Sequence, residues 1–145
     1  MIVPGTAISF FFDLARSLFQ PSDEYRIALY SRDANLSPMT EAYTTDGEVI
    51  GAPGYVAGGQ ILAGLTVTMD GRVAVMDWAD PLWPNSTIVA RGAFIFNATR
   101  NRAVTVLDLG PSPAGDQRGY SSTNGNFLIT FPDPTALTGL IRIGG

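Results

Sequence analysis

Hydrophobic positions follow two different periods along the chain. Between Thr6 and Gln20, Ile8, Phe11, Phe12, Ala15, Leu18 and Phe19 recur at steps of three and four. This spacing predicts one short amphipathic helix, capped by Ser9 or Thr6 and ended by Pro21. Asp13 and Arg16 interrupt the apolar run, no basic segment precedes it, and it is too short to cross a bilayer. Such a helix packs either on its own domain or, through its phenylalanines, on a neighbouring subunit.

After Pro21 the period shortens to two. The run YRIALY (25 to 30) predicts a first strand. GLTVTM sets Leu65, Val67 and Met69 on one face and Thr66 and Thr68 on the other; Asp70-Gly71 then predicts a tight hairpin turn, and RVAVMDW the returning strand. TIVARGAFIFN predicts the longest strand, placed near the centre of a sheet because neither of its faces is wholly polar. RAVTVLDL pairs with it across ATRN, FLITF contributes Phe127, Ile129 and Phe131 to one face, and GLIRI closes the sheet. The sum is an all-β, antiparallel β-sandwich of jelly-roll or immunoglobulin-like type, residues 23–145, preceded by a helical arm over residues 1–22. The polar stretch from 110 to 126 is too long for a simple hairpin connection, which predicts a segment that is mobile or ordered by a partner.

At 145 residues the chain has the length of one domain. It contains no histidine, cysteine or lysine, so imidazole and thiolate chemistry, Schiff bases, disulfides and zinc sites built on nitrogen or sulfur are all excluded. Nine arginines stand against ten aspartates and three glutamates, a net charge of −4 spread without blocks. That distribution argues against a nucleic-acid surface, which needs a basic stripe. No cofactor, catalytic residue or metal site is expected.

DWADPLWPNSTIVARGAFIFN, residues 77 to 97, is where catalysis would have to be sought, with Asp77 and Asp80 as a carboxylate pair beside Trp78 and Trp83. A glycosidase needs its two carboxyl groups roughly 5 to 10 Å apart and one of them buried, which a three-residue spacing does not specify. The competing reading is a corner: Asp77 ends one strand, Asp80-Pro81 turns the chain, and the tryptophans cover the end of the core. A calcium site from Asp70, Asp77 and Asp80 lacks any recognised loop spacing. Asn35, Asn85 and Asn97 each begin a glycosylation sequon, a pattern short enough to arise by chance. GYVAGG (54 to 59) predicts a turn where two backbones approach closely, since no phosphate-binding lysine accompanies it.

The series DEYRIALYSRDANLSP, AYTTDGEVIGAPGYVAGGQIL, DWADPLWPNSTIVARGAFIFN, RAVTVLDLG and GNFLITFP resembles a family of small structural proteins of tailed bacteriophages and covers most of residues 23 to 132. The resemblance implies a virion component without catalytic activity or cofactor, either a head decoration (cement) protein or a neck or tail protein. The expected partners are then a major capsid protein and further copies of the same chain, with neither nucleic acid nor membrane involved. Candidate contact residues are Phe11, Phe12, Leu18 and Phe19 on the helix, and Arg100, Arg102, Arg118 and Tyr120 on the loops. A carbohydrate-binding module, stacking sugars on Trp78, Trp83 or Tyr120, is the alternative from another class.

Overall fold

The computed structural model describes residues 1–144. In chain order its elements are β1 (Gly5–Thr6), α1 (Ile8–Ala15), β2 (Tyr25–Tyr30), β3 (Gln60–Ile61), β4 (Thr66–Asp70), β5 (Val73–Asp77) and β6 (Leu82–Ser86). There follow β7 (Val89–Ala90), β8 (Gly92–Asn97), β9 (Arg102–Asp108), β10 (Tyr120–Ser121), β11 (Gly125–Leu128) and β12 (Ile141–Gly144). The protein is thus mostly β with one short helix, and its strands pair antiparallel in several small sheets.

The largest sheet has the order β1-β9-β8-β2-β3; the others are β12-β5-β4, β11-β6 and β10-β7. Every residue of β8 is buried. Its neighbours set Ile27 opposite Ile95 and Ala28 opposite Phe94 on the β2 side, and Val106 opposite Phe94 on the β9 side. A line of aromatic contacts runs away from this sheet: Phe10 to Phe19 at 5.0 Å, Phe19 to Tyr25 at 4.7 Å and Tyr25 to Trp78 at 5.6 Å between ring centres. It ties the helix to β2 and to the corner between β5 and β6. Trp83, on β6, closes the core elsewhere against Tyr55 and Phe127.

Three expectations change. The predicted single strand over 87 to 97 is broken at Arg91, so that β7 joins β10 while β8 enters the main sheet. The chain bends at Arg91, whose backbone stays bonded to Tyr30 O and Leu109 N–H while its side chain turns outward to Asp108 at 3.0 Å and to the Gln117 carbonyl at 2.8 Å. The β4–β5 hairpin turns on Gly71-Arg72, one residue later than Asp70-Gly71, because Asp70 pairs with Val73 and Gly71 supplies the positive φ of 61°. The stretch from 110 to 126 is tied to its own chain, through β10 on β7 and a set of tight backbone bonds.

Those bonds disclose a repeat that the residues conceal. Tyr55 N–H to Ala52 O and Gly59 N–H to Val56 O recur sixty residues later as Gly115 to Ser112 and Gly119 to Asp116. Gln60 faces Ile27 as Tyr120 faces Ala90, and Leu62 N–H meets Tyr25 O as Ser122 N–H meets Ile88 O. A left-handed residue follows in each copy, Gly64 or Asn124, before the chain enters β4 or β11. Only Pro53/Pro113 and Gly59/Gly119 match as residues within the two turn segments.

Those glycines carry the closest backbone approaches of the two copies. A Cβ on Gly59 would stand 1.8 Å from Ile27 O, and one on Gly119 would stand 2.0 Å from Ala90 O. Gly110 also has positive φ but open space around it. Gly59→Ala and Gly119→Ala should therefore each cost several kcal/mol or prevent folding, against about 1 kcal/mol for Gly110→Ala, as measured by urea unfolding.

Candidate docking surface

The first turn of α1 is held by the backbone instead of by a side-chain cap. Ala7, at the N-cap, is extended and donates its N–H to Val104 O at 2.9 Å, while Ile8 N–H reaches Pro38 O at 2.9 Å. Neither Ser9 nor Thr6 caps the helix. The helix also ends well before Pro21: Ser17 is left-handed (φ 59°), with Ser17 N–H on Leu14 O and Leu18 N–H on Asp13 O. This is a Schellman closure with serine in the place usually taken by glycine. Because the chain reverses there, Leu18 and Phe19 leave the helical face, both half-buried, and Phe19 packs on the core against Phe10 and Tyr25.

Helix α1 faces inward with Phe10 and Asp13, both almost fully buried. Asp13 is paired by Arg102 of β9 in a two-bond fork, Nε to Oδ2 at 2.8 Å and Nη2 to Oδ1 at 2.9 Å. The opposite face leaves Ile8, Phe11 and Phe12 exposed by 59%, 46% and 57%. Met39, on the turn after Pro38, is 72% exposed and lines a shallow groove with Ile8, Ser9, Phe12, Pro38, Glu41 and Arg102. Ser9 Oγ is buried in that groove without a hydrogen-bond partner. The Arg16 guanidinium lies 5.2 Å from the centre of the Phe12 ring. Large exposed apolar groups gathered on one rigid face are the usual mark of a contact surface.

The sequence-predicted contact residues separate into distinct places. Phe11 and Phe12 form this patch, with Arg102 committed to Asp13 at its rim. Arg100 binds Asp23 at 2.7 Å. Arg118 is exposed and pairs with Asp116 two residues away. Tyr120 is 42% exposed beside an open hollow of about 530 Å³ that includes Leu109, Phe127 and Leu128. Met39 and Ile8 complete the apolar patch; Ile8 was visible in the helical period, whereas Met39 had no periodic context.

The tryptophan corner is structural. Trp78 and Trp83 are buried, which removes both as stacking platforms for sugars. Asp80 Oδ1 accepts the Phe131 N–H at 2.9 Å, and Asp70 Oδ2 accepts the Ala136 N–H at 2.6 Å. Burial, with Asp80 and Asp133 nearby, pushes the Asp77 carboxyl up. Among the described residues no three His, Cys, Asp or Glu side chains are grouped to hold a metal ion, and no helix is long and apolar enough to cross a membrane. Asn97 is buried and donates to Asp23 at 2.8 Å, so its sequon is inaccessible.

One polar centre escaped the sequence reading. Glu48 is buried, makes no salt bridge among the described residues and accepts from the Tyr43 and Tyr55 hydroxyls and the Gly58 N–H. Burial first, and then the bond to Glu48, pushes the Tyr43 phenol up to about 12. Sixty residues on, at the same point of the repeated path, Asp108 binds Arg91 and the Gly110 N–H. Comparison with known protein families, curated proteins and solved structures returns no match to this chain.

Arg102→Gln should destabilise the protein by about 3 kcal/mol, because it strands a buried carboxylate, while Asp13→Asn/Arg102→Gln loses less. Denaturant titration of the two variants checks this. Acid should act through Asp23: burial raises its pKa, but the bonds from Asn97 and Arg100 outweigh burial and leave it lowered. A lowered folded pKa contributes stability that is present above the unfolded value near 4 and is lost as pH falls through the folded one. Thermal melts between pH 6 and pH 2 should therefore show a shallower acid decline for Asp23→Asn than for the native chain.

Proposed function

We propose that the protein is a structural component of a tailed-bacteriophage virion, a β-sandwich decoration or cement protein without catalytic activity that bridges neighbouring major capsid subunits. The observation that carries this reading is the rigid apolar face of Ile8, Phe11, Phe12 and Met39, exposed on a helix anchored from behind by Phe10 and the Asp13–Arg102 fork. The ordered series of motifs between residues 23 and 132 supports the same reading. A helix fixed in this way presents its rings with little entropy left to lose on docking. Repetition over a shell makes a modest contact area per copy sufficient, since many weak contacts act together. The charge of −4 suits a cation-bearing acceptor around the apolar centre.

Binding of the purified protein to expanded shells and to isolated tails tests the proposal. Saturable binding to shells at hundreds of copies is the expected result; binding to tails alone, or six to twelve copies at one vertex, would assign it to the neck or tail. Phe11→Ser and Phe12→Ser should each weaken shell binding by about 30-fold, the effect of a contact worth ~2 kcal/mol. Because both rings are only about half exposed, unfolding stability should fall by about 1 to 2 kcal/mol, leaving the variants folded.

A further inference from the structure

We propose that β4 is a self-association edge, through which two copies of this chain pair antiparallel about Thr68. β4 ends the sheet β12-β5-β4, and all five of its residues are exposed, including Val67 at 55% and Met69 at 69%. The two-residue turn makes Asp70 and Val73 the closing hydrogen-bonded pair, so by alternation Thr68 and Thr66 also bond to β5. The N–H and C=O groups of Val67 and Met69 therefore point away from the sheet. Edge strands are normally guarded by lysine, proline, a bulge or an inward charge. None of these lies between Thr66 and Met69, and Asp70, at the end, is occupied by its own Ala136 N–H.

Charge selects a second copy as the occupant. Arg72, at the hairpin tip, makes no ion pair or hydrogen bond among the described residues. At the other end of the hairpin, Asp77 lies opposite Thr66, has Asp80 and Asp133 nearby, and keeps its Oδ1 buried without a partner. Two-fold pairing about Thr68 sets Val67 against Met69 of the other copy and brings the other Gly71-Arg72 tip alongside Gly64-Leu65. There Ala63 O accepts the N–H of Ala79, which places that tip beside the stretch between Asp77 and Asp80. Each copy thus brings a guanidinium that has no partner among the described residues beside the other's acidic end, a self-complementary contact made twice. Five-residue strands bury well under the ~1,600 Å² of a standard interface, so the pairing is weak in solution and gains strength where copies are arrayed.

The chain has no cysteine, which makes Thr68→Cys a clean probe. In a non-hydrogen-bonded antiparallel pair the two Cα atoms stand about 4.5 Å apart, within disulfide reach. Under mild oxidation Thr68→Cys should form disulfide dimers about tenfold faster than Val56→Cys, which is also well exposed on another loop. Val67→Pro removes an N–H that points away from the sheet, so it should suppress that dimer while the chain stays folded with a small loss of melting temperature. Arg72→Ser should slow it severalfold. Oxidation of Thr68→Cys no faster than Val56→Cys, or insensitive to Val67→Pro, overturns the proposal. So does protection of the Val67 and Met69 amides from hydrogen exchange only when a different protein is bound. The pairing does not depend on the virion reading: the experiment uses the purified chain without shells, so each can fail alone.

Discussion

Burial of both faces of β8 is the constraint from which the rest of the architecture follows. A strand covered on both sides needs a second layer on each face and a hydrogen-bonded neighbour at each edge. β2 and β9 supply the edges, and the helix, the aromatic line and the small outer sheets contribute the layers around the core. The chain bends at Arg91, so that β8 begins after it and the two residues before it pair with β10. A bend at one residue thereby divides a continuous run between two sheets.

Charge shapes the apolar face. Asp13 belongs to the inward side of α1 only because Arg102 waits on β9, eighty-nine residues away, with a planar fork that matches a carboxylate. With Phe10 and Asp13 committed inward, helical geometry leaves Ile8, Phe11 and Phe12 no place in the core. The arginines expected to meet a partner are engaged within the chain; what remains for a partner at this face is chiefly hydrophobic.

Much of the fold was legible because its signals are local. YRIALY is β2 to the residue, ATRN joins β8 to β9, and the close approach foreseen at GYVAGG occurs at Gly59. What could not be read depended on distant residues. The helix stops early through a closure that uses Ser17, a residue with no special claim to a left-handed conformation. At the break, the Arg91 side chain meets Asp108 and Gln117, and Met39 joins the patch only because Pro38 O receives the Ile8 N–H. The sixty-residue repeat is conserved in backbone path and almost erased in side chains, so no period in the residues could disclose it.

That repeat is fastened differently in its two copies. In the first, Glu48 sits buried among phenols and a backbone amide. In the second, the corresponding Asp108 relies on an arginine at the surface, with both partners partly exposed. Dissolved electrolyte screens the latter far more than the former. Two loops of one shape thus differ in what salt can reach: the one that begins after Asp108 is fastened in part by an ion pair at the surface, its twin by a carboxylate among hydroxyls.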